Sequence, residues 1–130
     1  MNLFDTLDNK RKNINLSENK KIKIYVCGIT PYSESHIGHA MSAVIFDTLR
    51  KYLLANKQNV TYVQNFTDID DKLIKAAKEN NSDIKTISTK FINKHLSALS
   101  KLNVLKPDYS PKATEEIKEM INMIETLISK

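Results

Sequence analysis

The order of apolar and polar positions divides this chain into stretches of different period. Lys21–Cys27 (KIKIYVC) alternates and then turns fully apolar, as a strand does on entering a sheet. From Ile37 the period changes. Ile37, Ala40, Met41, Val44, Ile45, Leu49, Tyr52 and Leu53 recur at helical spacing and predict an amphipathic helix reaching about Asn56. Asn59–Phe66 (NVTYVQNF) is rich in β-branched and aromatic residues and predicts a second strand. Strand, long helix and strand in this order predict a βαβ unit with parallel strands and a right-handed crossover.

Three further helices are predicted. The first runs from Asp70 to Glu79. The second spans Ile84–Leu102 with Ser82 as N-cap and Ile84, Ile87, Phe91, His95, Ala98 and Leu102 along one stripe. The third runs from Glu115 to Ser129, capped by Thr114, with Ile117, Met120, Ile121, Ile124, Leu127 and Ile128 apolar. Pro107 and Pro111 break the chain between them. Residues 1–20 have no sustained period and read as a polar lead-in with one short strand at Asn2–Thr6. Two strands, with a possible third, are too few for a stable doubly wound sheet. Residues 21–130 therefore read as the N-terminal part of a larger α/β domain, with an apolar sheet face or edge left exposed where the remainder docks.

Composition narrows the class. The chain has 130 residues, 41% of them apolar and 27% charged, which is globular and not disordered. No apolar run approaches the ~20 residues of a membrane span, and the charged N-terminus is no secretory signal. A single cysteine, Cys27, excludes an internal disulfide and suits a reducing cytoplasm. The net charge of +5 is spread along the chain and carried almost entirely by lysine. Bidentate phosphate contacts favour arginine, and only Arg11 and Arg50 are present, so a solvated surface is favoured over a nucleic-acid patch.

The chemistry gathers in one place. The only two glycines, Gly28 and Gly38, both fall between the first strand and its helix, in Cys27-Gly-Ile-Thr-Pro-Tyr-Ser-Glu-Ser-His-Ile-Gly-His39. Ligands of parallel sheets bind at the carboxyl ends of strands, and a helix start attracts phosphate. Glycine allows close approach. His36 and His39, three apart, can face one side and donate hydrogen bonds to phosphate oxygens as charge builds. Two such histidines can equally serve as helix caps. Taken by itself, Cys27 reads as a small buried hydrophobe at a strand end, and His95 as a core or boundary residue. The acidic run Asp68-Ile-Asp-Asp71 invites a metal, but fits better as carboxylates complementing the dipole of a first helical turn. Tyr32 can cover the site or simply pack.

The string ending in His36-Ile-Gly-His39 resembles the ATP-binding motif of class I aminoacyl-tRNA synthetases, in the form found in cysteinyl-tRNA synthetases. Lys23–Gly28, Ile45–Tyr52, Thr61–Lys72 and Ser110–Ile117 match that family in order and spacing, so the resemblance covers nearly the whole chain. It implies a Rossmann-like nucleotide-binding domain. It also implies a two-step ligation in which cysteine and ATP form cysteinyl-adenylate and the cysteinyl group passes to tRNA(Cys). His36 and His39 would contact ATP and stabilise the pentacovalent phosphorus. Gly28, Thr30, Tyr32, Ile37 and Gly38 would border the nucleotide, and Thr67 would lie beside the substrate cysteine. Magnesium would accompany ATP. Cys27 would be one ligand of a zinc ion that selects sulfur over oxygen.

The sequence departs from the family in places. There is no second cysteine for zinc, no Lys-Met-Ser-Lys-Ser-type loop and no helical domain to grip tRNA. Ile29 and Pro31 differ from the commonest family loop, and Met41 stands where arginine is usual. The chain alone is therefore expected to be inactive, wanting a C-terminal half. Two other readings stay open: a cysteine:glucosaminyl-inositol ligase of thiol biosynthesis, and a non-catalytic nucleotide-binding remnant.

Overall fold

The computed structural model describes residues 1–16 and 21–130. Strands β3 (Lys21–Ile29) and β4 (Asn59–Phe66) pair in parallel, joined by helix α1 (Ile37–Ala55), as the βαβ pattern predicts. Helices α2 (Asp71–Glu79), α3 (Ile84–Lys101) and α4 (Ile117–Ile128) follow. Ahead of them β1 (Asn2–Asp5) and β2 (Lys10–Asn13) form an antiparallel hairpin of their own. Only its first strand is predicted from sequence. The second, Lys-Arg-Lys-Asn, carries no apolar residue and hence no period; Asn9 turns the chain at φ 51°, where asparagine is tolerated. Residues 17–20 of the predicted lead-in lie outside the described residues.

The sheet has one more member than the pattern shows. Tyr109 and Lys112 bridge in parallel to Val63 and Phe66. Gln64 N–H donates to the Tyr109 carbonyl at 3.1 Å, and Phe66 N–H to that of Pro111 at 2.9 Å. β4 is thus central. Proline has no N–H to give a ladder, but at an edge its carbonyl can still accept. Pro111, one of the two prolines that break the helical pattern, therefore belongs to an edge segment, and Pro107 leads into it.

The face that α1 buries differs from the predicted one. Ala43, Asp47, Arg50 and Leu53 point inward, while Ile37, Met41, Val44, Ile45 and Tyr52 are exposed. Two of the inward residues are charged, so hydropathy cannot reveal that face. Arg50 donates through Nη1 to the Lys106 carbonyl at 2.6 Å and through Nη2 to Asp108 Oδ1 at 2.9 Å. Asp108 Oδ2 accepts from Tyr62 N–H at 2.7 Å, and Asp47 Oδ1 from Leu105 N–H at 3.0 Å. The guanidinium also lies 5.2 Å from the centre of the Tyr62 ring. This network moors the 105–108 segment between α1 and β4.

Helix starts carry further corrections. Asp83, not Ser82, caps α3, accepting from Thr86 N–H at 2.7 Å. On α3 the buried stripe is Ile87, Ser88, Ile92, His95 and Leu99; the predicted Ala98 and Leu102 are exposed. Thr114 caps nothing. Buried Asp68 accepts its N–H at 2.9 Å and its hydroxyl at 2.6 Å, and α4 begins three residues later behind a 3-10 turn at Ala113–Glu115. Of the acidic run, Asp70 caps α2 through Lys72 N–H and Asp71 sits in its first turn, as the dipole argument predicts; Asp68 lies outside the helix. Leu73, Ala77 and Ile87 form a core between α2 and α3. No residue of α4 is buried, so its apolar stripe is left facing out.

Candidate functional site

β3 runs through Gly28 to Ile29, past the predicted end at Cys27. Glycine permits this. A Cβ on Gly28 would lie 1.4 Å from the Asn65 carbonyl oxygen. Gly28 N–H donates to Asn65 Oδ1 at 2.8 Å, and the Tyr25 hydroxyl donates to the same oxygen at 3.0 Å. Asn65 Nδ2 in turn reaches Thr67 Oγ1 at 3.3 Å, while Thr67 N–H donates to the Ile29 carbonyl at 3.0 Å. The carboxyl ends of the two parallel strands are thereby stitched together, with Thr67 at the seam. Cys27 is exposed beside them, which corrects its reading as a buried hydrophobe. Its strand alternates, and the inward position is taken by Val26.

The loop from Thr30 leads to α1. Pro31 is fully buried, and Tyr32 N–H donates to the Thr30 carbonyl at 3.0 Å. The Tyr32 ring is partly exposed, with Lys72 Nζ 5.3 Å from its centre. His36 is then the N-cap. Its Nδ1 accepts from Gly38 N–H at 3.1 Å, and His39 Nδ1 accepts from His36 N–H at 3.1 Å. Each imidazole therefore caps for the other, the role usually shared by a hydroxyl and a carboxylate. A Cβ on Gly38 would meet Cε1 and Nδ1 of His36 at 3.0 Å, so glycine at this position leaves room for the cap. The two rings lie 4.0 Å apart, tilted by 33°.

This bonding fixes the tautomers. A ring nitrogen that accepts a backbone N–H carries no proton, so in each neutral ring the proton is on Nε2. Both histidines cap the helix, and each still keeps one free donor. The capping role that sequence allows is present, and it leaves the second nitrogen of each ring unused. Of the four amides that a helix start leaves free, His36, Gly38 and His39 are bonded within this turn, leaving that of Ile37, whose side chain is 84% exposed. Donors available to an anion are thus mainly the imidazole Nε2–H groups.

A third imidazole stands behind the pair. His95, buried on α3, has Nδ1 2.8 Å from Ser35 Oγ and its ring 6.4 Å from that of His39 and 6.3 Å from that of Phe66. Sequence places His95 in the core but does not connect it to Ser35, sixty residues away. Burial pulls the His39 and His95 pKa values below the usual 6.5, helped by the neighbouring His36 for the first and His39 for the second. The unfolded chain then binds more protons than the folded one as pH falls through about 6.5. Stability is accordingly full above that pH and falls below it, by at most about 1.4 kcal/mol per pH unit for each proton taken up. Urea midpoints measured across this range should show the fall, and His95→Phe should reduce it.

Among the described residues no three His, Cys, Asp or Glu side chains are placed to hold a metal ion together. Cys27 is alone, its Sγ 3.7 Å from the Gly28 carbonyl oxygen. The residues present do not fit a closed zinc site, which needs about four ligands. No helix is long and apolar enough to cross a membrane among the described residues.

Residues 13–130 match the family model described as the catalytic domain of tRNA synthetases class I (C). The chain is 47% identical over 131 residues to a cysteine–tRNA ligase of Archaeoglobus fulgidus, and 45% identical over 130 residues to those of Dehalococcoides mccartyi and Bacillus pumilus. Each match covers all of this chain but 28% of the relative's length.

Proposed function

The chain belongs to the catalytic-domain family of class I (C) tRNA synthetases, and from that membership we propose that it supplies the ATP-receiving part of a cysteine–tRNA ligase. The observation that carries this reading is the reciprocal imidazole cap. It leaves two Nε2–H donors at the start of α1, beside the carboxyl ends of parallel strands, where such folds receive nucleotides.

In the proposed reaction a carboxylate oxygen of cysteine attacks the α-phosphorus of ATP. A P–O bond forms, the bond to the β-phosphate bridge breaks, and pyrophosphate leaves with the electron pair. No proton has to be removed, so no side-chain base is required. The task is to position reactants and to meet negative charge with donors already in place. His36 and His39 do this through Nε2–H. Gly28, Thr30, Tyr32, Ile37 and Gly38 border the nucleotide, and Thr67 lies toward cysteine. Transfer to tRNA(Cys) completes the reaction, magnesium accompanies ATP, and the setting is cytoplasmic. Because Cys27 stands without other ligands among the described residues, no step is routed through zinc.

The test is a graft of this chain into the Archaeoglobus relative in place of the matching segment. Cysteine-dependent exchange of pyrophosphate into ATP is expected, with loss on His36→Ala or His39→Ala. Exchange that persists in the double His→Ala variant would overturn the reading.

A further inference from the structure

We propose that His95 is a positioning residue for the imidazole pair, an inference that rests on His36 and His39 being the nucleotide's contacts. Two adjacent residues of α3 grip two adjacent residues of the loop: Lys94 pairs with Glu34, and His95 bonds Ser35. Ser35 immediately precedes the N-cap His36. The Lys94–Glu34 pair is exposed on both sides, and such pairs contribute little. The His95–Ser35 bond lies behind a side chain only 3% exposed, where loss of a partner is costly.

The same ring meets His39 edge-to-face, at 85°, within the range of favourable aromatic pairs. His95 therefore touches both halves of the reciprocal cap, one through Ser35 and the other directly. Phe66, the last residue of β4, packs at 89° against it and ties the cluster to the sheet. If α1's first turn rotated, or the loop shifted, one of these contacts would break. The orientation of the two imidazoles is thus set by a buried residue of another helix. A residue that only filled space would be replaced equally well by phenylalanine, which supplies the ring without the nitrogen.

His95→Phe and Ser35→Ala in the full chain test this from opposite sides of one bond, the second from a loop where folding is least at risk. ATP affinity and the ring-nitrogen resonances of His36 and His39 are the readouts. Each variant is expected to weaken ATP binding roughly three- to ten-fold, the worth of one hydrogen bond, and to shift the Nδ1 resonances as the caps loosen. The double variant should be no weaker than either single one, because both remove the same bond. Unchanged resonances together with ATP affinity within about two-fold of the parent would overturn the proposal and leave His95 a core residue. If the parent chain fails to bind ATP, the functional reading falls, and the resonances alone decide the positioning role.

Discussion

Gly28→Ala is expected to remove about 3 kcal/mol or more of folding stability, at the upper end of what overpacking costs. The added Cβ would lie 1.4 Å from the carbonyl oxygen of Asn65 and 2.5 Å from its carbon. Both are backbone atoms of the central strand, so no side chain can swing away to relieve the clash. The strands must separate where β3 carries its bulge, between Val26 and Ile29. Separation breaks the bond from Gly28 N–H to Asn65 Oδ1 and endangers that from Thr67 N–H to the Ile29 carbonyl. Gly38→Ala is the internal control. There the new Cβ meets only imidazole atoms, at 3.0 Å, and the ring can move. That variant exchanges about 1 kcal/mol of helix propensity gained for about 1 kcal/mol of capping lost and should unfold close to the parent. Urea unfolding followed by circular dichroism separates the two. A Gly28→Ala chain as stable as the parent would mean that the strands do not approach this closely.

The two glycines also show how far the sequence could be read. Both fall in the loop-to-helix stretch, and proximity to a ligand explains them equally well there. Geometry gives each a local reason: Gly28 admits a neighbouring backbone, and Gly38 admits the His36 cap. The α/β class, with its parallel strands and long helices, was legible because Lys21–Cys27 alternates before turning apolar, Ile37–Leu53 keeps a helical spacing and Asn59–Phe66 is rich in β-branched and aromatic residues. The faces were less so. Asp47 and Arg50 are buried as charges, which charged residues seldom are unless paired; Asp47 meets Lys51 one turn on, but the bonds from Asp47 to Leu105 and from Arg50 to Asp108 reach more than fifty residues away. The edge segment at 109–112 was hidden by Pro111 and the preceding Pro107, and β2 by its charge. In the site, His36, Gly38 and His39 are visible as a short string, because capping is local. Ser35–His95 and Gly28–Asn65 are not, because only the folded chain brings them together.

Arg50→Met is expected to cost about 1–3 kcal/mol, because a buried guanidinium that bonds two acceptors is lost while the Asp108 carboxylate it leaves is partly open to water. Methionine retains much of the side-chain length but leaves Asp108 Oδ1 and the Lys106 carbonyl without their donors. Asp108 already meets water on one side, but its other oxygen holds Tyr62 N–H on the central strand, so it is not free to reorient. Arg50→Lys should recover little, since one ammonium on a flexible stem does not reproduce a fork that spans two acceptors. Lys51→Met is the contrast. Its ammonium also meets a carboxylate, Asp47, at 2.6 Å, but from a half-exposed position, and buried Asp47 keeps the Leu105 N–H as a partner, so its loss should cost less than that of Arg50. The decisive measurement is the double variant Arg50→Met/Asp108→Asn. Removing charge from both members relieves the stranded carboxylate, so the pair should lose less than the sum of the single changes. Strict additivity would show that the two side chains do not sense each other, and that the 105–108 segment is held to α1 by its backbone bonds alone.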